Sequence, residues 1–138
     1  MAVSRGDVIE PEALANALAK AALEKKARDV VILDLRELID YSDVIVICTG
    51  NNRRQVQAIA DEVRRVAKAA AVTAIGVEGL EGARWVLVDY GSVVVHIFDE
   101  PVRPFYNLEG MWADAPRLPT PDAPAEVAAE QEEDEDWV

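Results

Sequence analysis

Between residues 53 and 71, Val56, Ile59, Val63, Val66 and Ala70 recur at steps of three and four, the spacing that lines one face of an α-helix. Arg64, Arg65 and Lys68 fall off that stripe. Asp61 stands four residues before Arg65, a spacing suited to an ion pair on the outer face. Gly50-Asn51-Asn52 supplies a strand break and an N-cap ahead of this helix. A second helix is predicted from Glu10-Pro11-Glu12, with proline in the first turn and acids near the positive end of the dipole. It runs through Leu14, Leu18 and Ala21 and ends near Lys25-Lys26. Elsewhere the pattern shortens to the apolar runs and alternations of strands, at residues 30–33, 44–49, 73–77, 85–90 and 93–98. The first two strands are joined through Leu38 and Tyr41, and residues 101–106 and 108–112 are predicted as short helical turns that fold back on the sheet.

The last two strands flank Gly91-Ser92, a pair suited to a two-residue turn with φ > 0 at its first position. That loop sets a register. Asp89 faces Val94, Leu87 faces His96 and Trp85 faces Phe98 on one side, while Tyr90, Val88 and Val86 meet Val93, Val95 and Ile97 on the other. The second set is apolar apart from a tyrosine tip and belongs to the core. The first mixes Trp, Leu, Asp, Val, His and Phe, a poor core and a suitable contact surface. Trp85, Leu87, Asp89 and His96 combine a large amphipathic anchor with polar groups that need partners. Tyr90 follows the core face, yet at the turn its ring is within reach of a partner. Glu78, beside the hairpin, adds an acid able to meet an arginine. Taken singly, Trp85, Phe98, Phe105, Tyr106 and Trp112 are each expected in the core; it is their company on one face that suggests a contact surface.

The element order α, β, β, α, β, β, β and short α implies an α/β fold, a mixed sheet of about five strands packed with helices. The chain's 138 residues support one domain. Composition places its boundary at 116. Residues 117–138 carry eight acids and one arginine, net −7, leaving 18 acids and 13 bases, net −5, in residues 1–116. Rich in Pro, Ala, Glu and Asp, the 117–138 segment is expected to be a disordered acidic tail. Trp137 has no assigned partner there. A net charge of −12 disfavours strong direct binding to nucleic acid, where affinity comes chiefly from Lys and Arg. It favours basic protein partners. No apolar segment approaches the roughly 20 residues of a membrane helix, and the lone Cys48 forms no disulfide within the chain, so a cytoplasmic protein with no membrane contact is expected.

Catalytic constellations are sparse. Nucleotidyl transfer needs two or three convergent carboxylates around a divalent metal. Here Asp34 is followed by Leu35-Arg36, Asp40 and Asp43 stand three apart, and the dense acids Glu132, Glu133, Asp134, Glu135 and Asp136 fall in the tail. Around Asn51-Asn52-Arg53-Arg54 there is one glycine and no Gly-Lys-Ser/Thr, so an N-cap with exposed arginines is expected rather than a phosphate cradle. His96 lacks further His or Cys partners for a metal and a Ser or Cys beside it for nucleophilic chemistry. Asp89 is placed to orient its ring. Two readings of His96 stay open: a hydrogen-bonded histidine in a half-buried sheet, and an interface histidine. Cys48, inside an apolar run, is expected as a buried strand thiol. These residues point to a binding protein, not an enzyme, with no cofactor and no metal.

Finally, ARDVVILDLREL (27–38), YSDVIVICTGNNRRQVQAIADEV (41–63), VEG (77–79), RWVLVDYGSVVVHIF (84–98) and RPFYNLEGMW (103–112), closed by DAP (114–116), follow one another over about ninety residues. In this order they resemble the ribosomal silencing factors of the Iojap family. The resemblance implies a nucleotidyltransferase-like sandwich and a factor that binds the large ribosomal subunit through its protein fourteen, on the intersubunit face. It implies that bound factor blocks joining of the small subunit and so represses translation, and that the free protein forms a homodimer. Carried over by motif, the contact residues are Glu78, Trp85, Leu87, Asp89, Tyr90 and His96. A large-subunit assembly factor using the same surface is the alternative, ahead of a nucleotidyltransferase-like enzyme. Asn51-Asn52-Arg53-Arg54 and Ser92 depart from the usual family sequence, and the acidic tail lies outside its motifs. The tail is then a solubilising appendage, or a repellent of small-subunit RNA if held near the subunit interface.

Overall fold

A computed structural model describes residues 9–38 and 43–122. The elements in chain order are α1 (Pro11–Glu24), β1 (Arg28–Asp34), β2 (Val44–Gly50), α2 (Arg53–Ala69), β3 (Gly76–Glu78), β4 (Trp85–Asp89), β5 (Val93–Asp99), α3 (Arg103–Tyr106), α4 (Leu108–Met111) and β6 (Arg117–Leu118). The expected mixed α/β architecture is observed, with six strands instead of about five, in the order β3-β4-β5-β2-β1-β6. β2 and β5 run parallel at the centre and their outward neighbours pair antiparallel.

The two long helices start and stop for reasons visible in their end residues. Asn52 caps α2 by accepting the Gln55 N–H at 2.9 Å, and the Gln55 amide donates in turn to the Lys25 and Lys26 carbonyls (3.1 and 2.9 Å). One glutamine thus satisfies orphan groups at both helix ends. α1 and α2 finish in Schellman-type closures: Ala27 N–H donates to Ala22 and Val72 N–H to Ala67, with Lys26 and Ala71 at φ +66° and +63°. Residues 71–72 are consumed by that closure, and the strand expected from 73 begins only at Gly76. Arg65 pairs with Glu62 at 2.6 Å, not with Asp61 as the i,i+4 spacing suggests. The longer glutamate accepts two guanidinium hydrogen bonds, a fork geometry that outcompetes a single contact.

Strand side chains alternate between two cores. On one face Ile32, Val46, Val88, Val95 and Ile97 pack under α1 and α2 with Leu14, Leu18, Ile59 and Val63. On the other, Leu33, Ile45, Ile47, Val94 and Phe98 pack with Leu35, Leu108 and Ala115. β2 is buried at every position because both its faces are covered, which is why its sequence is continuously apolar and not alternating. Cys48 is buried there as expected, and burial pushes its thiol up to about 12.

Past the boundary expected at 116, the chain still pairs with the sheet. Arg117 and Leu118 pair with Leu33 and Ile32, the Pro116 carbonyl accepts the Asp34 N–H at 2.9 Å, and Thr120 is buried. These contacts satisfy the otherwise open edge of β1. The connection at Tyr41 with Asp40, and residues 123–138 with their acids and Trp137, lie outside the described residues. Among the described residues, no helix is long and apolar enough to cross a membrane.

Candidate contact face

β4 and β5 pair as the Gly91-Ser92 turn predicts: Trp85 with Phe98, Leu87 with His96, Asp89 with Val94. Gly91 has φ +87°, and the Tyr90 N–H donates across the turn to the Val93 carbonyl at 2.8 Å. β3 sets Glu78 beside Leu87 and Gly76 beside Asp89, while β2 sets Ile47 beside His96. Cross-strand partners share a face, so Glu78, Leu87, His96 and Ile47 form one row from the sheet edge to its centre. Gly79 makes the edge possible. At φ +83°, its missing Cβ would lie 2.1 Å from the Trp85 carbonyl oxygen, so only glycine lets the chain pass that close to β4.

Along this row exposure falls steadily: Glu78 is exposed, Leu87 half-buried and His96 7% exposed. Trp85 and Asp89 are half-buried. The expectation that this face makes a poor core therefore fails for its inner half. α3, α4 and residues up to Ala115 cover it with a second apolar cluster containing Phe98 and Val94, and Trp85 and Leu87 pack against the margin of that cluster. Tyr90 is not brought to this face at all. It is 8% exposed, in the core under the helices, where burial raises its hydroxyl pKa against the pull of Arg64.

Of the two readings of His96, the hydrogen-bonded one holds. The Trp85 indole N–H donates to His96 Nδ1 at 3.0 Å, and burial, opposed by the Asp89 charge, lowers the imidazole to about 4. The ring is neutral near pH 7 with its proton on Nε2. Asp89 does not orient it; its Oδ1 accepts the Gly91 N–H at 2.8 Å and fastens the turn. Among the described residues no three His, Cys, Asp or Glu side chains are close enough together to hold a metal.

One neighbour of this face, Arg103, was not singled out from the sequence, and another, Tyr106, was expected in the core but is 45% exposed. The Tyr106 ring lies 4.4 Å from that of Trp85, and α3 is clamped to the sheet by a buried arginine. Arg103 donates to Thr49 Oγ1 (2.8 Å), to the Asp29 carbonyl and to Glu109 (2.7 Å). Asp29, at φ +52° beside the irregularity of β1, turns its carbonyl toward that guanidinium. Hydrogen bonding from Arg103 holds Glu109 below the usual carboxylate range. The signal for this clamp lay in Arg103-Pro104, a cation opening a helix where a cap or an acid is the usual choice. Phe105 and Met111 point outward, 84% and 67% exposed.

Residues 8–137 match the family model described as ribosomal silencing factor during starvation. The chain is 46% identical to the ribosomal silencing factor of Halalkalibacterium halodurans, over 69% of this chain and 81% of that one. It is 45% identical to that of Bacillus subtilis, over 71% and 83%. The chloroplastic Iojap protein of Arabidopsis thaliana is 35% identical over 83% of this chain and 48% of its own. Among solved structures, a Chromobacterium violaceum protein superposes with a TM-score of 0.74 at 35% identity, covering 76% of this chain and 88% of that chain. A Bacillus halodurans protein does so at 0.70 and 41%, covering 78% and 97%.

Proposed function

The chain belongs to the ribosomal silencing factor family, and from that membership we propose that it binds the large ribosomal subunit through protein fourteen and keeps the small subunit from joining. The observation that carries the choice of surface is the graded row on β3, β4 and β5. An exposed acid, Glu78, a half-buried Leu87 and the half-buried Trp85 sit at the margin of a sheet whose centre is packed on both faces. Interface centres are built this way, with apolar anchors held in place beforehand and charge at the rim. Nothing in the mechanism requires turnover; it requires a footprint whose bulk overlaps the position of the other subunit. Tyr90 and His96, both buried, support the surface from behind, and the direct contacts fall to Glu78, Trp85, Leu87 and Asp89.

A gradient assay with purified large and small subunits tests this reading. Wild-type protein sediments with the large subunit and reduces the joined particle. Trp85→Ala weakens binding by about 2 kcal/mol or more, as loss of a central aromatic anchor does. Because Trp85 also holds His96, Leu87→Ala is run beside it, and both variants are first compared with wild type in thermal unfolding. Joining that proceeds normally with the protein bound refutes silencing by steric exclusion and favours the assembly role.

A further inference from the structure

The chain carries −12, yet α2 (Arg53–Ala69) holds five basic and two acidic side chains, net +3. Arg65 is tied to Glu62, whereas Arg64 and Lys68 take part in none of the ion pairs among the described residues. Both line an open groove of about 660 Å³ between the end of α2 and β3, with Val72, Val77 and Tyr90 along its wall and Asp61 as its acid. An apolar wall under a cationic rim suits a segment that is acidic and also carries one large aromatic. This sequence contains such a segment. Residues 130–138, EQEEDEDWV, hold six acids, no base and Trp137, and the proposed contact face makes no use of them.

Reach permits the contact. The described chain ends at Asp122, just past β6, on the sheet edge opposite β3. Six strands at a spacing of about 4.8 Å put those edges roughly 24 Å apart, and fifteen extended residues span up to about 50 Å. Being on the same chain, the segment is present at an effective concentration on the order of millimolar, enough to populate a contact made of two cations and one ring. Nucleic acid fits the groove less well: phosphate binding rises with the number of cations displacing counterions, and Asp61 and Glu62 stand among the few on offer.

We propose that residues 130–138 dock in the α2–β3 groove of their own chain, their acids against Arg64 and Lys68 and Trp137 against Val72, Val77 and Tyr90. The proposal stands whether or not the protein acts at the subunit interface. Full-length ¹⁵N-labelled protein tests it by NMR, in wild type, in Trp137→Ala, and in a neutralised variant with Glu132, Glu133 and Glu135→Gln and Asp134 and Asp136→Asn. The expected result is that amides of residues 64–77 and Tyr90 differ between wild type and both variants at low salt. These differences collapse near 1 M salt, where the Debye length is about 3 Å. In an Arg64→Glu, Lys68→Glu background, neutralising the tail then shifts none of them. Superimposable spectra overturn the proposal. So do shifts that fade on dilution, which place the segment on a second copy, and groove amides that ignore the tail but respond to a ribosomal RNA oligonucleotide.

Discussion

His96 sits at 7% exposure on β5 with its Nδ1 engaged by the Trp85 indole, and burial holds its pKa near 4, against about 6.5 for an unfolded histidine. The sign of the linkage follows. Between those values the unfolded chain binds a proton that the folded chain refuses, so stability is full above about pH 6.5 and falls as pH drops toward 4. The difference amounts to about 3 kcal/mol over that window. Urea unfolding of wild type and His96→Gln at pH 7 and pH 4.5 isolates it from the carboxylates, which titrate in both proteins. Wild type is expected to lose about 2–3 kcal/mol more than the variant. Equal losses would mean that the imidazole is hydrated in the folded state and takes up its proton there. In a binding experiment the same neutral ring predicts no change in affinity between pH 6 and 8 from His96.

At the scale of elements, the four-residue helices α3 and α4 are too short to persist alone and owe their place to Arg103, Leu108 and the Tyr106 ring on Trp85. Replacing Arg103 by Met leaves Thr49, the Asp29 carbonyl and Glu109 without their donor. Breaking a buried ion pair from one side costs roughly 3–5 kcal/mol. Arg103→Lys recovers little of that, since an ammonium cannot supply the fork. Amide exchange in residues 103–112 should then accelerate well before that of β2 and β5, and uniform exchange across the chain would show that the cap is not a separate unit. The cap also marks the limit of what was legible from the sequence. Helical spacing located α2, and the Gly91-Ser92 turn set the whole β4–β5 register. Alternation on β4 and β5 separates two faces but says nothing of what arrives to cover one of them, so the mixed face that carries Phe98 and His96 reads as a contact surface. β6 spans two residues between Pro116 and Pro119, too short to show any period. Among the expected contact residues, Glu78, Trp85, Leu87 and Asp89 do share a face. Tyr90 does not, because side-chain direction on a strand outweighs proximity to a turn.

For the whole molecule, charge separates two ways of meeting a ribosome. The protein is −12, and a particle built on RNA repels it at long range, so binding has to be won locally against that field. If the β3–β5 face docks on a basic ribosomal protein, Glu78 is one of the groups that wins it. It is exposed on the sheet edge, where a substitution leaves the core alone. Glu78→Lys changes the net charge by two units toward neutrality and so reduces the long-range repulsion. Should affinity for the large subunit nevertheless fall, by about tenfold or 1.4 kcal/mol, the residue faces cationic protein. Tighter binding by Glu78→Lys, with a steeper loss of affinity at high salt, would instead put phosphate opposite the face. The opposite signs of the two outcomes make the equilibrium measurement decisive even when its magnitude is modest, provided wild type and variant are titrated at the same ionic strength.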